Sequence, residues 1–245
     1  MKTFVPLHQA GLLCALGLMA GSGLTVTTLP ATAQTLQLRL PDISAPGNRE
    51  SGSTRSTTCI AANENLVALM PESNYGLTQS AYPTFYFYLP ETTAEQVKFV
   101  LLNEATNEFV YEGRFALESD GGIASVSLPN NGLQEPLAIG ETYVWYISVV
   151  CDPLDPSADV VTEGQIERVP SLEIAEDTPV AALPGIYAEA GLWYDAIATS
   201  AALKQADNQT TDWNALLDAV ELDELIPVNL LSSRLSQVNP VSTIE

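Results

Sequence analysis

The residues of this chain best suited to hold a ligand lie in one loop, CDPLDPSAD (151–159), after an aromatic run, GETYVWYISVV (140–150). Asp152, Asp155 and Asp159, with Glu163 just beyond, offer the hard carboxylate oxygens that calcium prefers. Their spacing is not that of an EF-hand, and Pro153 and Pro156 are turn-formers. A solvated acidic loop accounts for the same residues, so no cofactor is expected; calcium is the ion these four would hold. A second candidate is TFYFY (84–88). With Phe85 and Phe87 facing a core, Tyr86 and Tyr88 face outward. There they stack a sugar ring or peptide, or they seat the segments carrying Trp193 and Trp213. Seating is expected, because it gives two apolar helices a surface to cover.

Most catalytic chemistry lacks its parts. His8 is the only histidine and lies in the first 33 residues, a segment that reads as removable. Without it, histidine-based triads and zinc sites are excluded. Lys98 and Lys204 adjoin no nucleophile motif, and no phosphate-cradling glycine loop occurs. In a chain so rich in Asp and Glu, some pair always resembles the two carboxylates of a glycosidase, so that signal is uninformative. A non-catalytic protein is expected, with a carboxylate-based hydrolase as the residual enzymatic alternative.

Charge narrows the partners. The formal net charge is −21, and from Cys59 onward five basic residues face twenty-eight acidic ones. Such a surface repels phosphate backbones and anionic lipid heads, which excludes nucleic acid and anionic membranes.

Lys2, the apolar stretch at 11–24 and Ala31-Thr32-Ala33 read as a signal peptide over residues 1–33, cleaved near Ala33/Gln34. The apolar run is shorter than the ~20 residues a membrane span needs. Cys14 leaves with that segment. Cys59 and Cys151 remain, an even pair that reads as one disulfide in an exported chain. Closing a loop of about ninety residues stabilises by about 4–5 kcal/mol in the chain-entropy account. A periplasmic or extracellular location is expected.

The elements that must position these residues follow from periodicity. Residues 34–58 form a polar leader, read as flexible. Residues 59–170 carry seven β-branched or aromatic runs, at 65–71, 82–90, 96–103, 108–115, 122–129, 142–151 and 160–169. Pro, Gly and Asn punctuate them, which predicts a β-sandwich of about seven strands, immunoglobulin- or fibronectin III-like. At period two, Tyr143, Trp145, Ile147, Val149 and Cys151 share the core face of one strand. Leu137, Gly140 and Tyr143 have the spacing of a tyrosine corner, and that strand resembles fibronectin type III modules. Residues 171–230 form a helical segment, with a start at Thr178-Pro179, a break at Pro184-Gly185, and apolar faces on 187–203 and 210–220. Tyr187, Gly191, Trp193, Ala196 and Ile197 are similar to the turn of a tetratricopeptide repeat. One such unit is too few to stand alone, so packing on the sandwich is expected. Residues 231–245 form a tail.

Several motifs together resemble domain-of-unknown-function family 928, exported proteins found mainly in cyanobacteria. They are Cys59 with LVALMPES, then YPTFYFYLP, VYEGRF, LPNNG, PLAIGETYVWYISVVCDP, DPSADVVTEGQIERV and YAEAGLWYDAI. The resemblance covers 59–227 and implies one unit of sandwich, Cys59–Cys151 bridge and helical segment, with no established activity. The functional expectation is an interaction module whose partner is another envelope protein. The alternative is a carbohydrate- or calcium-binding envelope protein.

Overall fold

The computed structural model describes residues 36–51, 59–61, 63–117, 121–231 and 236–237. The expected signal peptide, leader residues 52–58 and most of the tail lie outside the described residues. The fold is mainly β, with two sheets and a helical C-terminal segment. The smaller sheet has the order β1 (Val67–Ala68), β3 (Thr84–Leu89), β6 (Gly122–Ser127). The larger has the order β2 (Tyr75–Thr78), β8 (Val160–Arg168), β7 (Thr142–Val149), β4 (Gln96–Asn103), β5 (Phe109–Ala116), β9 (Ser236–Gln237). Strand pairing is antiparallel except for β2, which runs parallel to β8. Inward side chains of both sheets form the core. Phe85 of β3 meets Phe99 of β4 at 4.8 Å and Trp145 of β7 at 5.4 Å between ring centroids. Burial along β3 and β7 alternates as period two requires, and Trp145 is 0% exposed.

Three features differ from the expectation. Strand β2 was not among the predicted runs; it has four residues, one of them Gly76, and too little alternation to register. The first helix does not start at Thr178-Pro179. A single 3-10 turn, Val180–Ala182, comes first, and α1 spans Leu183–Glu189. Pro184 lies in its first turn, where a missing N–H costs no helical bond, so Pro184-Gly185 starts the helix, in keeping with a restart there and not a kink. The leader, finally, is bonded to the body over residues 36–51. Glu50 bridges to Val67, and Arg39 N–H donates to the Ala188 carbonyl. Arg49 closes the far end of the molecule: its guanidinium donates to the carbonyls of Met70 (3.1 Å), Val220 (2.6 Å) and Glu221 (3.2 Å). Val220 caps the C-terminus of α3 (Thr211–Ala219) and Glu221 follows it, at an end where a cation is favoured.

Between α1 and α3 runs α2, Trp193–Asp207. Its N-terminus enters the mouth of the sandwich against β2 and β3. A Cβ on Gly76 would lie 2.8 Å from the Tyr194 ring, and one on Gly164 would lie 2.7 Å from Trp145. Two side-chain-free positions on neighbouring strands thus admit the aromatic wedge.

Candidate functional site

The tyrosine-corner residues and the half-cystines bracket β7. Leu137 is buried, Gly140 adopts a φ of +81°, and the Tyr143 hydroxyl accepts the Ala138 N–H at 2.9 Å. At the other end, Cys151 is bridged to Cys59 with Cα atoms 5.4 Å apart. Trp145 lies between them. Its indole N–H donates to the Tyr194 hydroxyl at 2.6 Å, and that hydroxyl donates to the Gln165 carbonyl at 3.0 Å. Burial pushes the Tyr194 phenol far above its ordinary pKa, so it stays a neutral relay between two sheet strands. Trp193 works the same way, donating its indole N–H to the Leu69 carbonyl at 3.0 Å. Sequence reasoning missed Tyr194 entirely. Its partner lies 49 residues upstream, and no local pattern encodes that distance.

The outward tyrosines of β3 diverge. Tyr86 meets Trp213 of α3 edge-on at 6.4 Å, so this part of the smaller sheet's outer face seats a helix. Lys204 lies over the other ring system of that contact, 5.1 Å from the Trp213 centroid. Tyr88 is only half-buried and faces a cleft of about 310 Å³ lined by Glu64, Glu91, Gly121, Gly122 and Asn229. Burial, then the carboxylates of Glu64 and Glu91, hold the Tyr88 phenol above its ordinary pKa.

The aspartate loop does not assemble as four ligands. Asp152 accepts the Leu154 N–H at 2.8 Å. Asp155 accepts both the N–H (3.0 Å) and the hydroxyl (2.6 Å) of Ser157, which draws its carboxyl below the ordinary range. Both therefore serve the turn before β8. Glu163 stands on β8 directly opposite Tyr146, beside Gly47, away from them. Of the four, Asp159 has a buried oxygen, Oδ1, with no hydrogen-bond partner among the described residues. Burial raises its carboxyl, against the pull of Lys98, the Cys151 backbone N–H and Arg114. Among the described residues, no three His, Cys, Asp or Glu side chains gather to hold a metal ion.

The larger sheet supplies a surface that the sequence reading passed over. Across β5, β4 and β7, the outward residues form three rows: Arg114, Lys98, Ser148; then Glu112, Val100, Tyr146; then Phe109, Leu102, Val144. The helices lie against β2 and β3 instead. Val100, Leu102, Val144 and Tyr146 are half-buried, while Phe109 is 71% exposed and neighbouring Val161 of β8 is 41% exposed. Arg114 owes its place to a β-bulge. Leu101 pairs with Tyr111 but Leu102 pairs with Phe109, leaving Val110 as the extra residue. Counted from the turn without that bulge, Arg114 would oppose core residue Val97; with it, Arg114 opposes Lys98 on the outer face.

No curated protein matches the chain closely enough to lend it an activity. A family model described as Domain of Unknown Function (DUF928) matches residues 50–230, a span that takes in both sheets' main strands, the disulfide and all three helices, and the chain belongs to that family.

Proposed function

We propose that this chain is an exported, non-catalytic interaction module of a cyanobacterial cell envelope, binding another envelope protein without a cofactor. The observation that carries the reading is the outer face of β4, β5 and β7, whose apolar side chains no helix among the described residues covers. An exposed apolar patch on a soluble body marks an interaction surface. The apolar helix faces are buried on the sandwich and do not bear on the matter. Export is supported by the signal-like N-terminus and by the Cys59–Cys151 bridge, a bond that persists in oxidising compartments. The Tyr143 corner beside buried Trp145 supports kinship with immunoglobulin and fibronectin type III modules.

Fractionation of producing cells, with intact-mass analysis, tests the location. A periplasmic or extracellular chain beginning at Gln34 is expected, and a cytosolic chain starting at Met1 would overturn export. Chemical crosslinking of intact envelopes tests the role, which fails if repeated preparations yield no protein adduct.

A second reading, carbohydrate binding, is favoured by the Tyr88 cleft, where a half-exposed ring stands among two carboxylates and an amide. Titration with cell-wall glycans by calorimetry tests it. Saturable heat that Tyr88→Ala abolishes would support this reading, and its absence would remove it.

A further inference from the structure

The larger sheet's outer face carries a charge pattern that specifies what it meets. Lys98 and Arg114 stand directly opposite each other on β4 and β5, an arrangement in which like charges repel. Among the described residues neither forms an ion pair or hydrogen bond; the salt bridge found there joins Arg39 to Glu189. Lys98 and Arg114 both act on the partly buried carboxyl of Asp159, holding it lower than burial alone would. From Cys59 onward the chain has five basic residues. Arg168 is committed to the carbonyls of Leu137 and Gln79, and Lys204 to the Ile226 carbonyl and the Trp213 ring. Among the described residues from Cys59 onward, then, the two cations without a hydrogen bond or ion pair stand side by side at one end of a sheet face whose next row holds Glu112, Val100 and Tyr146. The Val110 bulge is what sets them there.

Resting on the interaction-module reading, we propose that the occupant is an acidic protein surface. Its carboxylates sit on Lys98 and Arg114, and its apolar side chains cover Val100, Leu102, Val144 and Tyr146. Val100, Leu102 and Val144 are branched aliphatics, which suit protein packing rather than sugar stacking. A second copy of the chain, itself acidic, is one of the outcomes that the test distinguishes. Guanidinium and ammonium groups opposite carboxylates speed encounter and set register, while the apolar centre supplies the affinity.

The test places a photo-crosslinking benzoylphenylalanine at Val100, at Val144 and, as a control, at exposed Ala202 of α2, in the full-length chain within producing cells. The first two positions should trap the same protein through an Asp- or Glu-rich peptide, and Ala202 should not. In Lys98→Glu/Arg114→Glu the adduct should fall about tenfold, and Lys substitutions at the trapped acids should restore it. The milder Lys98→Gln/Arg114→Gln pair serves if the reversal fails to fold by circular dichroism. An adduct at full yield in the charge variants overturns the proposal, as does a glycan adduct or a second copy of the chain. A protein adduct from Ala202 alone overturns this face and leaves the module reading standing. No protein adduct from any surface position overturns both.

Discussion

Strands β3 and β7 each turn a tyrosine away from the core, yet the two side chains end in different surroundings. Tyr86 lies under Trp213, so its sheet face is finished by a helix. Tyr146 stands opposite Glu163 on a sheet face that the helices leave uncovered. Alternation is the same in both strands, so the difference arises from where the C-terminal segment goes. That segment is drawn to the mouth of the sandwich, where Gly76 and Gly164 leave room for Tyr194 and Trp145. One face of the molecule is therefore a structural seam and the other a surface. The two should respond to mutation very differently.

The seam should be the more sensitive. Trp193→Ala removes a fully buried ring and leaves the Leu69 carbonyl without its donor, and should cost about 3–5 kcal/mol in urea unfolding. A loss no greater than that of a surface substitution would mean that α2 is not part of the core. Tyr194→Phe keeps the ring but strands the Trp145 indole N–H, and should cost about 1–3 kcal/mol. An unchanged urea midpoint would rule out the relay. Tyr75, at the edge of the larger sheet, gives a pH signature. Burial, then its bond to the Glu167 carboxylate, push its phenol from 10.0 to about 12. Between those values the unfolded phenol ionises while the folded one keeps its proton. The folded state then binds more protons, so stability falls as pH rises through that window. Tyr75→Phe should flatten the decline, and identical slopes in both proteins would refute the assignment. On the open face, Val144→Ser should change stability by no more than about 0.5 kcal/mol. A larger loss would show that this face, too, is structurally committed.

The parts of this fold that were legible in the sequence are those that depend on nearest-neighbour pattern. Alternation in 142–151 located the inward Trp145. What escaped notice depends on long-range meetings. Tyr194 reads as one more aromatic on a helix until the sandwich mouth is seen to admit it. Arg49 lies in a stretch with almost nothing to bury, yet three carbonyls from two distant segments fix it in place. The Lys98–Arg114 pair was hidden by a single bulged residue, since a one-residue slip exchanges the two faces of a strand. The aspartates belong with the local features, as the solvated turn that the sequence favoured. Their spacing was visible, and local turn bonds claim two of the four.

The aromatic wedge also bears on the order in which the protein can be finished. A chain emerging N-terminus first, from a ribosome or across a membrane, has β1, β3 and β6 by residue 127 and β8 by residue 168, but the ring that caps Trp145 arrives only with residue 194. Until then the half-made sandwich is hollow at its mouth and exposes an indole N–H without its acceptor. Vectorial emergence thus delays closure of the core to the last quarter of the polypeptide, and truncation before α2 would yield a body that a quality-control protease can grip.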